Sequence, residues 1–112
     1  MNKFVIFAFN GNPTCFVHVL LNALDMHEKG LDVKVVLEGE AVTLVKPMVE
    51  SKNPLFQKIV DLKLIDCVCK GCSAKLKVLE YNEQSGLPVG GEMSNHPSFS
   101  SYTQKGYTII TL

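Results

Sequence analysis

Residues 3–37 read KFVIFAFNGNPTCFVHVLLNALDMHEKGLDVKVVL, and this stretch decides the fold. Lys3 to Phe9 is continuously apolar, β-branched and aromatic. That is the composition of a strand buried on both faces, as strands of parallel sheets are. Asn10-Gly11-Asn12-Pro13-Thr14 interrupts it. Asn12 suits a helix N-cap and Pro13 the first helical position. A helix is expected from Pro13 to about Lys29. Phe16, Leu20, Ala23 and Leu24 recur at helical spacing, and Val17, Leu21 and Met26 widen the stripe. Gly30 suits the helix end. Val33 to Leu37 then reads as a second apolar strand. Strand, helix and strand in this length make a βαβ unit with a right-handed crossover.

The pattern continues outward from this unit. Ala41 to Pro47 reads as a short helical stretch. Asn53-Pro54 opens another helix, with Leu55, Ile59 and Leu62 on one face. Leu64 to Cys69 reads as a third strand, Ser73 to Glu80 as helical, and Ser85 to Gly91 as a Gly/Pro loop. Asn95 to Gln104 is expected to hold a short helix, and Tyr107 to Leu112 a closing strand. A fifth strand is expected around Lys77 to Tyr81. Alternating strands and helices imply an α/β fold, a three-layer α/β/α sandwich with a mainly parallel sheet of four or five strands. In the doubly wound, flavodoxin-like arrangement the first strand lies between the second and third.

The chain has 112 residues, the size of a single domain spanning 1–112. Eleven basic and eleven acidic residues cancel to a net charge of zero, so no electrostatic case exists for nucleic acid or an anionic membrane surface. No apolar run approaches the roughly 20 residues that span a bilayer. The N-terminal run lacks a small-residue cleavage site and is stopped by Asn10 to Pro13, so it reads as a strand rather than a signal peptide. A cytoplasmic location is expected, where thiols stay mostly reduced.

Ligands of open parallel α/β sheets bind outside the carboxyl ends of the strands. Three loops qualify: Asn10 to Cys15, Glu38 to Glu40, and Cys69 to Ser73. The third belongs to the run CVCKGCS, residues 67–73, which holds three of the four cysteines. Cys67 lies inside the strand and suits a buried apolar position. Cys69 ends the strand and Cys72 stands near the start of the next helix. The helix dipole, with Lys70 and Lys75, is expected to lower their thiol pKa values. Cys69 and Cys72 are therefore the candidate reactive residues. Asn10, Gly11, Asn12, Cys15, Glu38, Lys70 and Gly71 are the candidate substrate-binding residues around them.

Cys69-Lys-Gly-Cys72 is also a C-x-x-C pair able to cycle as a disulfide. The chain has no Trp and lacks the aromatic approach of thioredoxin-like proteins. A metal reading would join Cys15 and His18, on one helix face, to Cys69 and Cys72 as a Cys₃His set. With a single C-x-x-C pair, no metal ligands are assigned. Glu40 reads as part of a solvated turn, His27 as a surface residue, and His96, before Pro97, as a loop residue. The Asn-Gly-Asn-Pro-Thr loop matches neither phosphate-binding glycine motif.

The runs FNGNPTCFVHVLLNALDMHEKGLDVKVVLEGEAV and PLFQKIVDLKLIDCVCKGCSAKLKV resemble the DsrE/DsrF-like family of small sulfur-handling proteins. The similarity covers most of the chain and is strongest from Lys3 to Lys77. Its most telling parts are the second strand with LEGEAV and the cysteine after the third strand. The resemblance implies an α/β/α fold, homo-oligomers (trimers or hexamers), and in some members a persulfide on that cysteine. Cys69 matches this position, and Cys72 matches a second cysteine found in some members. Where the family often has Arg-Gly after the helix, this chain has Leu76-Lys77. A persulfide carrier needs a reactive thiolate and sulfur-donor and acceptor proteins, and no metal or organic cofactor. Two alternatives remain open: a non-catalytic oligomeric module holding a small anion or metal in the crevice, and a dithiol redox protein using Cys69 and Cys72.

Overall fold

The first strand is buried because it has a layer on each side. The computed structural model describes residues 2–112. Strand β1, Lys3–Ala8, buries Val5, Ile6, Phe7 and Ala8 completely or nearly so. Ile6 and Ala8 join the larger core cluster, and Val5 and Phe7 the smaller one. Helix α1, Pro13–Glu28, starts as its sequence predicts. Asn12 accepts hydrogen bonds from the N–H groups of Thr14 and Cys15, and Pro13 opens the helix. Its buried residues are Phe16, Val19, Leu20, Ala23 and Leu24. Val19 thus replaces Leu21 on the packed stripe, and Leu21 is exposed. Burying one such side chain contributes about 1.5–3 kcal/mol, so the stripe ties α1 to the sheet.

Strand β2, Asp32–Leu37, leads into a 3₁₀ segment, Gly39–Leu44, and two helices, α2 (Val45–Glu50) and α3 (Pro54–Asp61). Asn53 caps α3 as Asn12 caps α1, and the buried residues are Phe56 and Ile59, with Leu62 exposed. Strand β3 is Ile65–Cys69. The expected helix from Ser73 to Glu80 is instead two helices, α4 (Lys70–Lys75) and α5 (Leu79–Gln84). Lys77 between them has φ +63°, the left-handed conformation that a glycine adopts most easily. That turn excludes the strand expected around Lys77 to Tyr81. The remaining strand is β4, Val89–Gly90, inside the Gly/Pro loop. A two-residue strand has no period to read. Helix α6 (Phe99–Thr103) and strand β5 (Tyr107–Thr111) close the chain.

Among the described residues, five strands form one all-parallel sheet in the order β4-β3-β2-β1-β5. The α/β class and parallel sheet are as the sequence implies. The strand order departs from the arrangement with the first strand between second and third: here β2 lies between β1 and β3. Three successive crossovers step one way across the sheet, and the last returns to the far edge beside β1. The larger cluster gathers residues of α1, α2 and α3, while the smaller one has Tyr102 of α6 against Val5, Phe7 and Val36. Phe7 meets Phe99 and Tyr102 edge-on, with ring centroids 4.7 and 5.6 Å apart.

The β2–β3 register slips once. Val35 pairs with Ile65, but Val36 pairs with Cys67, so Asp66 is an extra residue in β3. Such a bulge re-aims the side chains around it. Asp66 accepts a hydrogen bond from the Tyr102 hydroxyl and lies 3.5 Å from Lys34 Nζ. After the slip, Leu37 pairs with Val68. The next residues, Glu38 and Cys69, therefore stand at matching positions at the carboxyl edge, where Cys69 still pairs with Gly90 of β4.

Buried polar bonds hold the segments behind Cys69. The Ser73 hydroxyl donates to the Cys69 carbonyl at 2.7 Å. Asn82 Nδ2 donates to Ser73 Oγ and to the Val42 carbonyl, each at 3.0 Å. Asn82 is fully buried. Asn82→Ala is expected to lower stability by about 1–3 kcal/mol, because two buried acceptors lose their donor. Urea unfolding measures this, and a change within experimental error would show that the network does not hold α4 and α5 in place.

Candidate functional site

Cys69 is both the last residue of β3 and the N-cap of α4. Its Sγ accepts from the backbone N–H of Cys72 at 3.3 Å, a role in which a thiol replaces the usual Ser or Asp. Cys72 follows in the first turn and is partly exposed, whereas Cys69 is fully buried. All four cysteines are unbridged.

The third member is His96. Met93 and His96 exchange backbone hydrogen bonds, both 2.9 Å, around Ser94 and Asn95. Ser94 and Asn95 have φ of +51° and +69°, as the two central residues of a type I′ hairpin must. The tip is fastened to the cysteine loop, since the Gly71 N–H donates to the Asn95 carbonyl at 2.8 Å. His96 Nδ1 then lies 3.0 Å from Cys69 Sγ and 3.6 Å from Cys72 Sγ. Two glycines make room for it. A Cβ on Gly71 would sit 2.7 Å from His96 Nε2, and one on Gly91 only 2.4 Å from the His96 backbone. Gly91 also has φ +148°, which side chains rarely adopt.

Glu38 completes the group. It is nine-tenths buried, and its Oε1 lies 3.6 Å from His96 Nδ1. One donor atom from each of Glu38, Cys69, Cys72 and His96 lies within 4.8 Å of the others. A cavity of about 280 Å³ opens beside Glu38, lined also by Met93, Pro97, Ser98, Phe99 and Ser100. A larger cleft of about 400 Å³, between Lys63 and Gly86, contains none of the four.

Burial reverses the expected acidity of Cys69. Loss of water pushes its thiol from 9.0 up to about 12, the Cys72 N–H offsets part of this, and the Cys72 thiol and Glu38 push further upward. Desolvation outweighs the short helix's dipole, which the sequence alone would have favoured. Cys67 is raised to about 11, again first by burial.

The other candidates from the sequence contribute no donor atom to this cluster. Asn10 accepts from the Asn12 N–H, and Asn12 caps α1. Gly11 packs against Glu40, where a Cβ would meet the Glu40 Cβ at 2.8 Å. Cys15, His18 and Lys70 are exposed and outside the cluster of donor atoms. The Cys₃His set with Cys15 and His18 is therefore not assembled. Gly71 is at the site as the floor beneath His96. His96, read from sequence as an ordinary loop residue, stands between the two thiols. Its signal in the sequence was indirect: Gly90-Gly91 and the turn-forming Ser94-Asn95 on its N-terminal side mark a tight backbone excursion.

A pH dependence follows from burial. Cys67, Cys69 and Tyr107 are raised to about 11, 12 and 12, and Tyr102 is also shifted upward. Protons are then held more tightly in the folded than the unfolded chain. The stabilisation is complete below pH 9, the ordinary thiol value, and is lost as pH rises toward 12. The urea midpoint should fall across this window and fall less steeply in Cys67→Ser; a midpoint independent of pH would contradict the burial of these groups.

The DsrE/DsrF-like family matches residues 3–112. The chain is 33% identical over 113 residues to the uncharacterized protein MJ0733 of Methanocaldococcus jannaschii, covering 97% of this chain and 93% of that one. A second relative, an uncharacterized protein of Archaeoglobus fulgidus, is 33% identical over 42 residues, 38% of this chain and 69% of its own length. The solved structure of a conserved protein of unknown function, BT1422 of Bacteroides thetaiotaomicron, superposes with a TM-score of 0.77 at 18% identity. It covers 99% of this chain and 95% of that one and so shares the fold. A match over nearly the whole chain, with the α/β sheet that places the cysteine pair at its carboxyl edge, makes this protein a member of the DsrE/DsrF-like family.

Proposed function

We propose that the protein is a sulfur carrier that holds sulfane sulfur as a persulfide on Cys69 and releases it with the help of Cys72. The observation that carries this reading is the imidazole set between two thiols, 3.0 Å from one and 3.6 Å from the other. A thiol with its pKa raised needs a base at hand to become a nucleophile. His96 Nδ1 is in reach to take the proton from Cys69, and Glu38 stabilises the imidazolium that results.

The Cys69 thiolate attacks the outer sulfur of a donor persulfide, R–S–SH. The donor S–S bond breaks and R–S⁻ leaves with its electron pair, so Cys69 becomes Cys69–S–SH. In release, the Cys72 thiolate attacks Cys69 Sγ. A Cys69–Cys72 disulfide forms and HS⁻ leaves; a dithiol reductant then restores the two thiols. No other oxidant is required. Cys72, which is partly exposed, offers the approach, while the buried Cys69 keeps its sulfur from water. Donor and acceptor are proteins in this reading; an acceptor thiolate can attack the outer sulfur of Cys69–S–SH in place of Cys72, taking that sulfur as its own persulfide and freeing the Cys69 thiolate. Exposed Met93 and Phe99 beside the cavity give them apolar surface to meet, as they would other copies of the chain in a trimer or hexamer.

Reduced, chelator-treated Cys15→Ser protein incubated with inorganic polysulfide should gain about 32 Da, the mass of one sulfur atom carried as a persulfide. Peptide mapping should place it on Cys69. Cys69→Ser should lose the adduct, and Cys72→Ser should hold it longer. An unmodified protein, or an adduct that survives in Cys69→Ser, would overturn the assignment.

A further inference from the structure

We propose that Glu38, Cys69, Cys72 and His96 form a four-ligand site for a divalent cation of the zinc class. The donor set is two thiols, one imidazole nitrogen and one carboxylate oxygen, and all four atoms lie within 4.8 Å of one another. Zinc bonds of about 2.0–2.3 Å in a tetrahedron put neighbouring donors roughly 3.4–3.8 Å apart. The separations of Nδ1 from Cys72 Sγ and from Glu38 Oε1, both 3.6 Å, fall in that range, and the 3.0 Å to Cys69 Sγ needs only a small outward shift.

Glu38 gives a second, independent reason. Its residue surface is only 9% exposed, and among the described residues its basic neighbour within 4 Å is the His96 imidazole, at 3.6 Å. No lysine reaches it. Among the described residues its carboxylate has no hydrogen-bond donor or cation of its own and faces the thiols of Cys69 and Cys72 and the His96 imidazole, an arrangement that a bound cation would complete. Contrast Asp66, which has Lys34 and the Tyr102 hydroxyl. A zinc ion among the four donors would supply the missing charge.

The ligands are also held in advance. Cys69-x-x-Cys72 has the short spacing of a zinc-binding cysteine pair. Cys69 is fastened as the cap of α4 and through its carbonyl to Ser73. Glu38 is set beside it by the sheet register, and its backbone N–H donates to the Ala8 carbonyl. His96 rests on Gly71 and Gly91 with Nδ1 directed at the thiols. Binding then needs donor shifts on the order of an ångström, since no pair is farther apart than 4.8 Å. The partly exposed sides of Cys72 and His96 give the ion its way in. All four donors come from the protein, as in closed structural zinc sites rather than open catalytic ones.

This inference does not rest on the sulfur-carrier reading, because it needs only the reduced thiols. The test uses reduced, donor-free full-length protein stripped with a chelator and titrated with Zn²⁺. Native mass spectrometry should show one zinc per chain. Replacement by Co²⁺ should produce a thiolate-to-cobalt band in the near ultraviolet and the visible bands of tetrahedral cobalt. His96→Ala, in the surface hairpin, and Glu38→Gln should each weaken zinc at least ten-fold, since even groups behind the ligands change affinity about 10–100-fold. Exposed Cys15→Ala should leave binding unchanged. Absence of stoichiometric zinc in the wild type, or affinity that survives His96→Ala but is lost in Cys15→Ala, would overturn the site. Neither result bears on uptake of sulfur by metal-free protein, so the two readings fail separately.

Discussion

The site depends on one slip of register. Parallel strands β2 and β3 pair in step until Asp66 adds a residue to β3, after which Leu37 stands opposite Val68. Side chains alternate between faces along a strand, so an unbroken register would have turned every residue beyond Ile65 to the other side. The bulge instead sends Cys67 to the α6 side and Val68 and Cys69 to the larger core, with the Cys69 thiol beside Glu38. Asp66 remains as a charged residue at the sheet, neutralised by Lys34 and bonded by Tyr102. A rare feature of parallel pairing is thus stabilised on one face of the sheet and sets the geometry at its carboxyl edge.

The second constraint is steric. His96 reaches the thiols only because Gly71 and Gly91 leave space that a methyl group would fill, and because Ser94 and Asn95 accept left-handed backbone conformations. Such conformations cost energy in residues other than glycine and persist where surrounding contacts hold them. Here the Met93–His96 hydrogen bonds and the bond from Gly71 to the Asn95 carbonyl hold them. The hairpin closes over Cys69 and removes it from solvent. This same closure raises the thiol pKa and sets the His96 imidazole 3.0 Å from the thiol.

The two faces of the sheet are covered unequally. The α1, α2 and α3 layer buries long apolar stripes, whereas the five-residue α6 covers the opposite face through a few aromatic contacts at Phe7, Tyr102 and Tyr107. Phe9, Met93 and Phe99 remain exposed at the rim near Glu38. The cavity beside Glu38 is therefore bordered by apolar surface on the side of the thinner layer. No helix among the described residues is long and apolar enough to cross a membrane.

Short-range features were legible in the chain itself. The apolar run of β1, the Asn12 and Asn53 caps with their following prolines, and the stripe on α1 each depend on neighbours within one or two turns. So does the placement of Cys69 and Cys72 at a strand-to-helix junction. What the chain did not display depends on pairing between distant segments. The two-residue β4 exists only because β3 offers it an edge, and the order of β1, β2 and β3 follows from packing of whole crossovers. His96 is 27 residues from Cys69 and meets it through a hairpin whose tip is bonded to Gly71. Glu38 is brought there by a bulge that no local pattern announces. The acidity of Cys69 is decided by how much protein surrounds it, a quantity that only the tertiary structure determines, because desolvation is the sum of contacts from every element packed around the thiol.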